Sequence, residues 1–257
     1  MHNLLPSLRS TLKSFTASTS TYLRIHSTNP TSPCQHLHIL DSSFNPPTLA
    51  HLTIALSSLQ STSASPTHLL LLLATQNADK PAVPASFEDR LVMLHLFSAS
   101  FPSTTVVDIA ITKHARFLDK SIELAKHYPV AEQTFLTGFD TLTRLLDTKY
   151  YPPAHTLSPL AAFFASNRVR CTLRDGGWGD REAQREYVEV IRRGEREADG
   201  CRREWAERIE LVEGAPESMG VSSTAVREAV KSGDSEALDR YLTKEVKGWV
   251  LERGLYT

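Results

Sequence analysis

Asp41–His51 reads DSSFNPPTLAH, and its place between two apolar runs decides the fold. Before it, His36–Leu40 (HLHIL) has the length and apolar character of a short buried strand. After it, Leu49, Leu52, Leu56 and Leu59 recur at helical spacing. The quoted residues are therefore a strand-to-helix turn. Pro46 and Pro47 cannot donate to a β-ladder and fix the exit from the sheet. The helix that follows turns its free N–H groups back toward the strand end.

The same alternation continues along the chain. Thr67–Ala74 (THLLLLLA), Thr104–Ile111, Gln133–Gly138, Arg168–Leu173 and Ile209–Gly214 read as further strands. Helical patterns separate them, including Ser86–Ser100, which opens on a capping pair, Ser86 with Asp89. Arg181–Arg208 is densely charged with both signs interspersed, the pattern of a solvated helix with ion pairs. Two C-terminal helical stretches are expected to stop at Gly233 and Gly254. Short, continuously apolar strands alternating with helices predict a Rossmann-like, doubly wound parallel α/β sheet with C-terminal helices. Right-handed crossovers then gather every strand-to-helix turn on one edge, where such folds bind ligands.

At 257 residues the chain has room for one large domain or one domain with a small appendage. Residues 1–35 are expected as an N-terminal amphipathic segment and residues 36–257 as the single α/β domain. The first 40 residues hold no acid, and Leu4, Leu5, Leu8, Leu12 and Phe15 share a helical face. A helix docked on the domain is the leading reading and a mitochondrial transit peptide the second; location is expected to be cytoplasmic, nuclear or both. The net charge of −1 gives no reason to expect nucleic acid. The longest apolar run, Leu69–Ala74, is too short to span a bilayer as a helix. Cys34, Cys171 and Cys201 form no C-x-x-C pair and read as spectator thiols.

Two clusters on the ligand edge carry chemistry. Thr48 and His51 are three residues apart at a helix start, so both side chains lean over the same turn. That is a ready phosphate site, with a histidine that can donate as charge develops. Gly220–Val230 (GVSSTAVREAV) offers Ser222, Ser223 and Thr224 at a second helix start, with Arg227 one turn on. Hydroxyls, free N–H groups and a guanidinium make a polyphosphate grip.

Together, SSFNPPTLAH and VSSTAVR resemble the paired signatures G-x-F-x-P-x-H/T-x-x-H and I-S-S-T-x-x-R of the nucleotidyltransferase superfamily, without a gap through His51 or Arg227. Within it, FNPPTLAH looks like the nicotinamide-mononucleotide adenylyltransferases, in a divergent fungal branch. The resemblance covers most of Leu40–Val230. It implies that ATP and nicotinamide mononucleotide give NAD and pyrophosphate, with Mg²⁺ carried by ATP and no metal held by protein ligands alone. His51, Thr48 and Arg227 would be catalytic. Ser222, Ser223, Thr224, Arg227 and Lys80 (in NADKP) would join His51 on the ATP phosphates. Ser42, Ser43, Phe44, Gly138 and Asp140 (in TGFDTL), Tyr151 and Arg174 (in CTLRDGG) would hold the mononucleotide. Arg90 falls where the family is typically arginine.

Three departures qualify the resemblance. Ser42 replaces the leading glycine, so this turn must do without φ > 0 there or shift. Val221 replaces isoleucine. No tryptophan stands where the family first stacks the nicotinamide, leaving Tyr150 or Tyr151 for that role; Trp178, Trp205 and Trp249 read as structural. The alternatives are another acceptor, such as nicotinate mononucleotide or phosphopantetheine, and a regulatory or quality-control nucleotide binder with little transfer activity. No membrane partner is expected, and a homo-oligomer is compatible with the sequence.

Overall fold

The computed structural model describes residues 4–61, 66–75, 85–174 and 177–257. In chain order the elements are α1 (Leu4–Ala17), β1 (Tyr22–Ser27), β2 (His36–Asp41), α2 (Leu49–Ser61), β3 (Thr67–Ala74), α3 (Phe87–Ser98), β4 (Val106–Thr112), α4 (Phe117–His127) and β5 (Glu132–Gly138). Then follow α5 (Phe139–Leu145), α6 (Leu160–Ser166), β6 (Asn167–Thr172), α7 (Arg181–Arg192), β7 (Ile209–Val212), α8 (Ser223–Ser232), α9 (Ser235–Tyr241) and α10 (Lys244–Glu252).

The seven strands form one sheet in the order β1-β4-β3-β2-β5-β6-β7. Pairing is parallel from β4 through β7. The order runs outward in both directions from β2, so it reverses between β2 and β5. That switch point opens a crevice at the carboxyl ends of these two strands. The DSSFNPPTLAH turn leaves β2 and the TGFDTL turn leaves β5, so both flank it.

The expected strands are all present, and β3 shows why its leucine run is unbroken. Leu69, Leu71 and Leu73 enter the core on one face of the sheet, and Leu70 and Leu72 the core on the other. Period-two alternation between two buried faces leaves no position for a polar residue. Ser86 caps α3, accepting from the Asp89 amide at 3.1 Å. Gly233 ends α8 in the left-handed conformation at φ 71°.

Other expectations are corrected. Residues 22–27, assigned to the N-terminal segment, form β1, which pairs antiparallel with β4 at the sheet edge. Helix α1 packs beside α3, with Phe15 buried in the core. Of the charged stretch, only Arg181–Arg192 is a helix. It ends before Gly194 at φ 80° and continues as short 3₁₀ turns to Arg208.

Candidate active site

At the switch point, a cavity of about 280 Å³ is lined by both signature segments, by Gly138 and Asp140 after β5, and by Arg174 after β6. The first signature makes a tight turn whose Asn45–Pro46 peptide is cis. Ser42 does not have positive φ; the left-handed residue of the turn is Phe44, at φ 44°. That conformation costs a residue with a Cβ about 1–2 kcal/mol. Phe44 is fully buried, with its ring 5.2 Å from the His51 ring, so the surrounding core enforces it.

His51 sits one turn into α2 with both ring nitrogens engaged. The Thr48 amide donates to Nδ1 at 3.1 Å, and the Thr48 hydroxyl lies 2.8 Å from the same atom. An amide N–H can only donate, so Nδ1 accepts and the neutral ring carries its proton on Nε2. Nε2–H then donates to the Ser42 hydroxyl at 3.0 Å. Enclosure by protein, with the Arg174 charge adding to it, pushes the His51 pKa down to about 4. The ring is a neutral donor aimed into the cavity by Thr48. Ser42, a departure in sequence, is the group that holds the donor hydrogen.

The two signatures are bonded to each other across more than 170 residues of chain. Ser223 donates to the Pro46 carbonyl at 2.7 Å, and Arg227 Nη1 donates to the Asn45 carbonyl at 2.8 Å. Arg227 Nη2 donates to the Thr224 hydroxyl at 2.9 Å. Tyr256 pins the Asn45 side chain from the C-terminus. Ser222 is the α8 N-cap and accepts from the Ala225 amide, leaving the Ser223 and Thr224 amides at a free helix end facing the cavity. Ser223 therefore has a structural bond of its own, in addition to any ligand contact. Arg90 is 2% exposed, lines the same cavity and donates to the Ser43 carbonyl, bracing the turn.

The remaining expectations divide. Asp140 accepts from Arg174 at 2.6 Å, and Gly138 gives that pair room, because a Cβ there would lie 2.7 Å from Asp140 Oδ1. Tyr150 and Tyr151 line a separate cavity of about 140 Å³ that meets the first at Thr141. Tyr151 is buried and its phenol donates to the Leu145 carbonyl, so Tyr150 presents the more accessible ring. Lys80 lies outside the described residues. Sequence reasoning also missed supports that only the fold assembles. Lys120 forms a buried ion pair with Asp41 at the end of β2. Gln184, buried on α7, holds both the amide and the carbonyl of Arg174. Trp205 and Trp249 are buried as expected, but Trp178 is 40% exposed beside Arg174.

The cysteines are free, and burial pushes the Cys34 and Cys201 thiols up to about 11 and the Cys171 thiol up to about 12, fitting spectators. Among the described residues, no three His, Cys, Asp or Glu side chains cluster as a metal site.

The family model described as cytidylyltransferase-like matches residues 39–229, spanning both signatures and the sheet between them. The chain belongs to this family. It is 36% identical over 211 residues to a Schizosaccharomyces pombe protein named as a candidate nicotinamide mononucleotide adenylyltransferase, covering 82% of each chain. The fold matches Plasmodium falciparum nicotinic acid mononucleotide adenylyltransferase in complex with NaAD (TM-score 0.56, 14% identity, 86% of this chain and 97% of that one). A second structure of that enzyme, with APC, gives a TM-score of 0.58 at 13% identity and the same coverage. At those identities the likeness is one of fold alone.

Proposed function

We propose that the protein is a nucleotidyltransferase that joins ATP and nicotinamide mononucleotide into NAD, releasing pyrophosphate. One observation carries this reading. Two hydroxyl-bearing helix starts, distant in sequence, are bonded together over one cavity, with a neutral histidine donor beside them. The family relationship supports it.

In this reading the acceptor's phosphate attacks the α-phosphorus of ATP in line. The new P–O bond forms as the bond to the bridging oxygen breaks, and pyrophosphate leaves with that electron pair. The acceptor's phosphate has a second pKa of about 6, so it is ionised near pH 7 and needs no general base. The chain's contribution is position and charge. His51 Nε2–H moves from Ser42 to a phosphoryl oxygen, where its bond strengthens as charge builds. Arg227 and the α8 amides hold the β- and γ-phosphates. Mg²⁺ enters with ATP as substrate. The cavity's carboxylates, Asp41 and Asp140, are already paired with Lys120 and Arg174, so the ion is coordinated chiefly by ATP oxygens and water.

The Tyr150–Tyr151 cavity, with Phe117 in its wall, receives the acceptor's ring. A second acceptor, nicotinate mononucleotide, is favoured by a specific feature: Arg116 and Arg144 line the same cavity. A carboxylate at the ring attracts these guanidinium groups more strongly than a carboxamide does, Arg116 already being paired with Asp119 on its own helix turn. The test is to incubate the protein with MgATP and each mononucleotide, measuring kcat/KM from the dinucleotide formed. Dinucleotide from either pyridine acceptor supports the reading. Pyrophosphate release only with a different acceptor, such as phosphopantetheine, contradicts it.

A further inference from the structure

Asn45, in the first signature turn, is held from two sides. Its backbone carbonyl accepts from Arg227, and its side-chain Oδ1 accepts from the Tyr256 hydroxyl at 2.8 Å, across 211 residues of chain. With Oδ1 engaged, the other arm of the amide is Nδ2, which carries two N–H donors. Asn45 is 7% exposed and lines the phosphate cavity. Its Nδ2 makes no hydrogen bond among the described residues and is not sealed from solvent, so these donors open on that cavity. Turned over, the amide would present its oxygen to the phosphates and leave the Tyr256 proton without an acceptor. The tyrosine hydroxyl therefore decides which end of the amide meets the ligand.

Tyr256 is fixed in its turn. It is 5% exposed and belongs to the core cluster that also holds Phe44 and Val226. It adopts φ 70°, and Phe44, next to Asn45, adopts φ 44°. Both are strained for a residue with a Cβ, and both are held there by burial. Burial also pushes the Tyr256 phenol above its ordinary pKa, although Arg227 and Arg90 oppose the shift, so the hydroxyl remains a donor at neutral pH. Just before it, Arg253 donates to the buried Asp89 at 3.2 Å. Asp89 is tied to the α3 cap, Ser86, and its neighbour Arg90 reaches the Ser43 carbonyl. The end of α10 and the start of α3 thus brace one turn together.

We propose that Tyr256 is a positioning residue for the triphosphate, fixing the Asn45 amide so that Nδ2 donates to a phosphate oxygen while the Asn45 carbonyl holds Arg227. The inference rests on the nucleotidyltransferase reading above and adds Asn45 to the grip made by Arg227 and the α8 amides.

Calorimetric titration with MgATP and with tripolyphosphate, in the absence of acceptor, tests this. Tyr256→Phe keeps the ring and removes one hydroxyl. One hydrogen bond corresponds to about three- to tenfold in affinity, so the Kd for both ligands is expected to rise by about that factor. Asn45→Ala should raise it at least as much. In that background Tyr256→Phe should add little, because the hydroxyl has no amide left to orient. Tyr22→Phe is the control, since its hydroxyl is also buried and bonded, to Tyr128, but in the other core cluster. It should lower the melting temperature and leave both Kd values unchanged. Unchanged affinity in Tyr256→Phe would overturn the proposal, whatever its melting temperature. So would a loss that persists in full in the Asn45→Ala background, or an equal loss in Tyr22→Phe. The binding test can fail while dinucleotide synthesis is intact, and can succeed if the assigned acceptor is wrong.

Discussion

His51→Ala removes a donor aimed at the transferring phosphoryl group, and the structure sets two separable consequences. The first is catalytic. Deleting one preorganised donor to developing charge costs about 10²–10³ in kcat, or roughly 2.7–4 kcal/mol. The second concerns the Thr48 amide, whose partner is His51 Nδ1 and whose residue is fully buried. Left unpaired, such a group costs about 1–3 kcal/mol of folding stability. The variant should thus melt earlier yet remain folded, since domains of this kind hold about 5–15 kcal/mol. The assay is steady-state dinucleotide synthesis at a temperature where circular dichroism shows the variant native, with ATP affinity measured separately. His51→Asn provides the control, because its amide can still donate. It should recover part of kcat while ATP affinity changes little in either variant. A natively folded His51→Ala protein with kcat within about threefold of the parent would refute the donor role.

Other perturbations follow from the same contacts. Arg227→Ala should raise the KM for ATP and lower kcat, by about 1.5–3 kcal/mol for each charge-assisted bond to phosphate. It should also lower the melting temperature, because Arg227 holds the Asn45 carbonyl; a rise only in mononucleotide KM would reverse the assignment of the two grips. Gly138→Ala places a Cβ 2.7 Å from Asp140 Oδ1 and 3.1 Å from Arg174 Cδ, so it should raise substrate KM with little change in melting temperature. Unaltered kinetics would show that the Asp140–Arg174 pair does not position substrate. Tyr150→Leu should raise mononucleotide KM at constant ATP KM, and Arg116→Gln should depress kcat/KM more for nicotinate than for nicotinamide mononucleotide. Equal effects on both acceptors would exclude Arg116 as the carboxylate partner. In pH, His51 has a folded pKa of about 4, below the ordinary 6.5. Its contribution to stability is therefore complete above pH 6.5 and lost as pH falls toward 4. The acid limb of kcat/KM near pH 6 should come from the acceptor's phosphate and persist in His51→Asn; its disappearance there would assign it to His51.

The features legible in sequence are those set by local periodicity and by side chains acting on their own helix turn. Strands β2, β3 and β4 announce themselves as apolar runs because they are buried on both faces. Thr48 and His51, and the caps Ser86 and Ser222, follow from spacing within one turn. The edge strand β1 did not, because it is half-exposed and flanked by serines and threonines whose pattern also fits a loop. Long-range pairings were equally silent: Lys120 with Asp41, Gln184 with the Arg174 backbone, and Ser223 with Pro46 are made only once the sheet order brings their elements together. Tyr151 shows the converse. An aromatic near a site suggests stacking, yet its phenol is committed to the Leu145 carbonyl. Trp178 sits amid charges, a setting that suggests packing, and is 40% exposed instead.

The central claim is that the acceptor's phosphate attacks the α-phosphorus of ATP, and label placement tests it most directly. ATP carrying ³²P at the α-position is incubated with Mg²⁺, the protein and nicotinamide or nicotinate mononucleotide, beside a parallel reaction labelled at the γ-position. The account predicts that the α-label appears only in the dinucleotide and the γ-label only in pyrophosphate, in equal amounts and dependent on acceptor. Label from the γ-position in the acceptor, or α-label released as AMP with no dinucleotide formed, would contradict it.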